Sequence, residues 1–278
     1  MDHVSGFDSM FRFNFGRSET PLMLIGPQDS IRVISNRIRG YTWNLVSESS
    51  GALDVREVSN EQLRDVRLST RSGFEDTQWD RITKFSNPVF DTPDVQFLDL
   101  NQGCRCAGYV VREKERTNVD VEKLKQLGFA SGPWISQLKD ASLNDGKLVT
   151  IGDATKSLGE LRELLLVNSA GNSLAYLTDF RPTEAEREIL ADSISGVDTL
   201  VCENNYRDAD VELAEQHFHL TSSEVGRLAA DASAGRLILF HVSDRYSTEE
   251  LEQQLVEVRH EFENSFWPEN WFESSGVE

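Results

Sequence analysis

Apolar residues in this chain gather into short continuous runs, and between those runs they recur at helical intervals. Pro21 to Pro27 reads as a buried strand closed by Gly26-Pro27, and Asp29 to Ile38 then has helical spacing. Val95 to Leu100 and Ala107 to Val111 predict two further strands, with Cys104 and Cys106 in the loop between them. Val121 to Leu127 predicts a short helix, followed by Gly128 and the turn at Gly132-Pro133-Trp134. Leu148 to Ile151, Leu174 to Leu177 and Thr199 to Cys202 predict short apolar strands, and Arg236 to Phe240 a buried strand ending on His241. Thr183 and Glu186 have capping-box spacing ahead of a helix. Thr221 to Ala232 opens Thr-Ser-Ser-Glu224 and carries apolar residues at helical intervals, and Thr248 to Phe262 is amphipathic. Strands alternating with helices favour a layered α/β protein with functional side chains at strand ends.

Composition narrows the class. A chain of 278 residues, 38% hydrophobic with five Trp and fifteen Phe, can bury a sizeable core and is globular. No apolar stretch approaches the length of a membrane span, and no basic start followed by an apolar segment marks a secretory signal. Three cysteines, two of them separated by one residue, read as reduced thiols, so a cytoplasmic location is expected. The formal net charge of −19 alone argues against nucleic-acid binding. The excess is uneven: Asp244 to Glu278 holds ten acids and two arginines, a solvated acidic region. Arg112 to Asp140 sets Arg112, Lys114, Arg116, Lys123, Lys125 and Lys139 against five acids, so a polyanion would meet the chain there.

Only five histidines occur, and several stand beside carboxylates at loop positions that flank strands. Asp2-His3 offers one oxygen and one imidazole in a single tight turn. Asp179 follows the strand at Leu174 to Leu177, Glu203 closes the next strand, His217-Phe218-His219 comes in the following loop, and His241 ends the last. Each has an ordinary reading in isolation: Asp179 as a turn residue, His241 as a strand-end histidine, Glu203 as a solvated carboxylate. Their joint order points to a metal site, because imidazole and carboxylate are the N and O donors that zinc accepts.

With Asp2-His3-Val-Ser-Gly6 in front, this order and spacing resemble ribonuclease Z of the metallo-β-lactamase fold. Gly40-Tyr-Thr-Trp-Asn-Leu45, Lys123-Leu-Lys-Gln-Leu-Gly128 and Gly132-Pro133 extend the resemblance over nearly the whole chain. It implies a four-layer αββα sandwich, one domain over 1–278. Met1-Asp2-His3 matches the last three positions of the family's H-x-H-x-D-H motif. The chain is therefore expected to lack the family's first strands. By the same resemblance Asp2 and His3 ligate the second of two Zn2+ ions together with His241, and Asp179 bridges both. Asp2, Glu203 and His219 are the expected catalytic residues, with Glu203 and His219 paired near the leaving group. A third histidine of the first metal is expected at Leu100, Asn101 or Gln102, and none of these is His. Cys104 or Cys106 is the candidate substitute.

The segment 111–159 corresponds to the arm with which the family grips tRNA. Lys123, Lys125 and Lys139 are expected there as phosphate contacts, and Trp134 as a stacking surface. The implied activity is zinc-dependent cleavage at the 3′ end of precursor tRNA, by a homodimer. Two alternatives stand beside it: a hydrolase of a small phosphodiester or ester, and a non-catalytic homologue with a lost metal site.

Overall fold

The computed structural model describes residues 4–14, 22–43, 51–69, 74, 77–91, 93–269 and 271. The chain divides into two compact units, Met1–Val111 with Ser173–Glu278, and Arg112–Asn172.

The first unit begins with helix α1 (Phe7–Asn14), strand β1 (Leu22–Pro27) and helix α2 (Ser30–Arg39). Strands β2 (Ala52–Val58), β3 (Gln62–Ser69) and β4 (Thr77–Lys84) complete a sheet in the order β1-β2-β3-β4. The first pair is parallel and the others antiparallel. Helices α1 and α2 cover one face. Phe7, Phe11, Ile31, Ile34 and Ile38 pack on Leu53, Val55, Val66 and Leu68. The other face holds a cross-strand charge ladder in register. Arg67 is bidentate to Asp54, and Arg56 is bidentate to Asp65, which also accepts from Arg81. Asp65 is 2% exposed. Burial pushes its carboxyl up, but the Arg56 and Arg81 hydrogen bonds outweigh this and hold it below the usual range.

A second sheet contains β5 (Phe90–Asp91), β6 (Asp94–Asn101) and β7 (Arg105–Arg112). The second unit comes next in the chain: β8 (Arg116–Val119), α3 (Val121–Gln126), α4 (Trp134–Leu138), β9 (Leu148–Ile151), β10 (Ala154–Ser157), α5 (Leu158–Leu165) and β11 (Leu166–Ser169). Then β12 (Ser173–Leu177), α6 (Glu184–Ser193), β13 (Thr199–Glu203), α7 (Val211–His217), α8 (Ser222–Asp231), β14 (Leu237–Phe240), α9 (Thr248–Glu261) and β15 (Ser265–Phe266) complete the first unit. The second sheet runs β15-β14-β13-β12-β7-β6-β5, and β12 to β15 are mutually parallel.

The alternating strand-helix order needed a signal to stop each strand and start each helix. Thr183/Glu186 and Ser247/Glu250 form capping boxes at α6 and α9. The later helices pack one face of the parallel strands: Leu190, Val225, Leu228 and Val258 meet Ala175, Leu177, Leu200 and Leu239. Gly226 permits the closest approach of α8 to α9, since a methyl group there would stand 2.7 Å from Val258 O and 2.8 Å from Glu261 Cβ. Between the sheets, Val58, Leu63, Phe97 and Ala107 form a third cluster with Ile25 and Tyr109, and Tyr109 Oη–H donates to Ile25 O at 2.7 Å. Helices, sheet, sheet, helices is the four-layer α/β arrangement that the resemblance implies.

Arg112–Asn172 has a core of its own, with Leu124, Trp134, Leu138, Leu158, Leu161 and Leu165 buried together. The resemblance implied one domain over 1–278 with an arm at 111–159; the second compact unit spans Arg112–Asn172.

Candidate metal centre

Three neighbouring parallel strands deliver the site from their carboxyl ends, the place where open α/β sheets bind ligands. Asp179 follows β12, Glu203 is the last residue of β13, and His241 follows β14. His219 joins them from the loop between α7 and α8. One donor atom from each of Asp179, Glu203, His219 and His241 lies within 4.8 Å of all the others. Asp179 is 2% exposed, Glu203 0% and His219 8%.

The backbone is bent to achieve this. Asp179 (φ 49°) and His241 (φ 54°) are both left-handed, a conformation Asp and His tolerate better than most residues and that costs on the order of 1–3 kcal/mol. It turns each chain sharply as it leaves its strand, so that the side chain returns over the strand end.

The hydrogen bonds sort the four groups into two pairs. Glu203 Oε1 accepts the Phe180 N–H at 2.9 Å, and its Oε2 lies 2.5 Å from His219 Nδ1. A carboxylate only accepts, so Nδ1 carries the proton and His219 keeps Nε2 for exchange with a substrate. Asp179 and His241 form the second pair, with His241 Nδ1 2.8 Å from Asp179 Oδ1 and 3.6 Å from Glu203 Oε2. Asp179 Oδ1 also accepts from Thr178 Oγ1 at 2.9 Å, and Oδ2 from Gln102 Nε2 at 3.3 Å. Despite these short distances, the buried His241 Nδ1 has no aligned hydrogen-bond partner. Asp179 and then Glu203 favour a proton on His241, raising its pKa to about 10, and a divalent cation would take that proton's place. Two buried carboxylates and two imidazoles thus converge, and His241 Nδ1 lacks an aligned partner, a donor set that fits a divalent cation.

Of the sequence-predicted site residues, the structure brings Asp179, Glu203, His219 and His241 together. Asp2 and His3 lie outside the described residues. The position expected for a further histidine is taken by Gln102, whose amide donates to Asp179; the sequence reading left three positions open and did not single it out. Cys106 stands outside the cluster. Burial, then Asp179, pushes its thiol up to about 12, and Sγ–H donates to Thr178 O at 3.2 Å. Cys104 is exposed and stands outside the cluster.

In the arm, Lys123, Lys125 and Lys139 are exposed. Lys125 pairs with Glu122 at 3.0 Å and Lys139 donates to Asn118 at 3.2 Å. Trp134 corrects the expectation of a stacking surface. It is 8% exposed, donates to Ala130 O and packs edge-on against Phe129, because the small arm core needs its largest ring inside.

Fold and cluster together define a metal-dependent hydrolase, and comparison with known proteins narrows the class. The chain is 35% identical to ribonuclease Z of Deinococcus radiodurans over 273 residues, covering 98% of this chain and 81% of the relative. It is 29% identical to ribonuclease Z of Bacillus cereus over 266 residues, covering 95% and 74%. The chain belongs to the ribonuclease Z family. No family model matches it. Among solved structures, a metallo-β-lactamase fold protein, YhfI from Bacillus subtilis, is similar at 12% identity and TM-score 0.44, covering 96% of this chain and 70% of that one. The short form of human tRNase Z is similar at 14% identity and TM-score 0.42, covering 83% and 64%.

Proposed function

We propose that this chain is the endoribonuclease that cuts precursor tRNA after the discriminator nucleotide, leaving a 3′ hydroxyl on the tRNA. The observation that supports it is the buried Glu203–His219 pair set beside Asp179 and His241. Asp179 and His241, with Asp2 and His3 proposed from the family motif, hold zinc. When bound, the ion supplies Lewis acidity at the scissile phosphate. Water attacks phosphorus as the bond to the 3′ oxygen breaks, and His219 in its imidazolium form, aligned through Nδ1 by Glu203, gives its Nε2 proton to that oxygen. A cleft of about 610 Å3 opens onto Asp179 and His241, with Arg105 and Tyr176 in its wall, and gives the phosphodiester access.

The arm is proposed to grip the RNA. It carries nine Lys and Arg against nine Asp and Glu in a chain whose net charge is −19, so the whole acidic excess lies outside it. Lys123, Lys125 and Lys139 are its proposed phosphate contacts. A homodimer follows from the resemblance alone and is checked by light scattering. Among the described residues no helix is long and apolar enough to cross a membrane, and a cytoplasmic location suits the substrate.

The test is cleavage of precursor tRNA by purified protein, with bound metal measured in parallel. A single cut on the 3′ side of the discriminator, with stoichiometric zinc lost in Asp179→Ala, is the expected result. The net charge of −19 favours a second reading, hydrolysis of a small phosphodiester. Turnover of bis(p-nitrophenyl) phosphate without cleavage of precursor tRNA would select it.

A further inference from the structure

Phe218 stands where the backbone asks for glycine. It closes α7 at φ 61° and ψ 44°, the left-handed conformation that helices reach most often with Gly and sometimes with Asn. Unlike Asp179 and His241, an aromatic residue has no short polar side chain to ease that geometry. Burial does not compensate for it either: Phe218 is 44% exposed, whereas His219 beside it is buried.

The ring does have a definite seat. It lies on Gly103, where an added methyl group would stand 3.1 Å from the ring edge. Gly103 is itself at φ 72°, so both its backbone and the phenyl ring exclude a side chain there. The preceding residue, Gln102, donates to Asp179. The ring therefore reaches from the His219 loop to the Gln102 loop, beside the carboxylate–imidazole cluster, with much of its surface open to solvent. A flat apolar ring fixed next to a phosphodiester-cleaving site matches one part of an RNA, an unstacked base.

We propose that Phe218 is a stacking platform for an unpaired base flanking the cleaved phosphate. This rests on the ribonuclease reading above and adds a subsite to it. Stacking accepts any base, since each presents a π-face, so the subsite fixes position more than sequence.

The experiment measures affinity of the metal-loaded protein for precursor tRNA with a non-hydrolysable phosphonate at the cleavage position, by fluorescence anisotropy. Phe218→Gly relieves the backbone and is expected to fold, yet to bind about tenfold more weakly. Phe218→Trp is expected to keep wild-type affinity. An abasic residue at one of the two flanking nucleotides is expected to weaken binding by the wild type, and to add nothing in Phe218→Gly. Equal affinity of Phe218→Gly and the wild type, or additive losses in that cycle, overturns the proposal. Failure of the wild type to cut the natural precursor overturns the ribonuclease reading, while the binding cycle still decides the stacking one.

Discussion

At the site, single side chains carry separable duties. Glu203 spends both oxygens on Phe180 N–H and His219 Nδ1, so Glu203→Gln is expected to lower turnover of precursor tRNA about a hundredfold. Bound metal, read by elemental analysis, is expected to be unchanged, because both Glu203 oxygens are already engaged by Phe180 N–H and His219 and the amide keeps an oxygen in the cluster. Gln102 is the complementary case. Its amide already reaches Asp179, so Gln102→His is expected to raise zinc affinity, measured against a competing chelator. Unaltered affinity would show that the loop holds its side chain outside the coordination sphere. Asp179, Glu203 and His241 were legible at strand ends, and His219 in the loop between two helices, by their joint order and the family resemblance. Gln102 and Phe218 were not: an amide and a phenyl ring carry no signature of their own, and only the meeting of two distant loops gives them a role.

Among the elements, the parallel half of the second sheet was readable because each strand is an apolar run and several helices start at Ser or Thr with Glu three residues on. The hairpin strands β2 to β4 were missed for a physical reason. They hold no continuous apolar run: apolar and charged residues alternate over Leu53 to Arg56 and over Asp65 to Leu68, with Asp54 facing Arg67 and Asp65 facing Arg56 and Arg81 across the sheet, so a search for apolar runs passes over them. Removing one member of such a pair leaves a buried charge alone. Asp65→Asn is expected to cost about 3 kcal/mol in urea denaturation. The Asp65 carboxyl is held below its ordinary value, so its contribution is present above about pH 4 and is lost as pH falls through the lowered pKa. The wild type should lose stability steeply on acidification there, and Asp65→Asn should show a flatter profile. Gly226→Ala supplies the steric counterpart. In an exposed helix that change gains about 1 kcal/mol. At the α8–α9 crossing, with Val258 O 2.7 Å from the new methyl, a loss of about 2 kcal/mol is expected from overpacking.

For the molecule as a whole, the acidic excess and the cluster share one unit. The strongly acidic first unit holds the carboxylate–imidazole cluster, while the arm is electrically neutral. The sequence read, by resemblance, as one domain over 1–278 with an arm at 111–159; the end of the second unit at Asn172 had no local signal, since β11 pairs back on β8 through a register no local pattern announces. The three strand-end donors are brought together only once β12, β13 and β14 are hydrogen-bonded side by side. An unfolded chain scatters Asp179, Glu203 and His241 and holds a cation poorly. Occupancy and folding are thereby the same equilibrium seen from two ends. The midpoint of thermal unfolding should climb with the logarithm of free zinc, by about 2.7 kcal/mol of added stability at a hundred times the dissociation constant. His241→Ala should melt at one temperature whatever the zinc concentration.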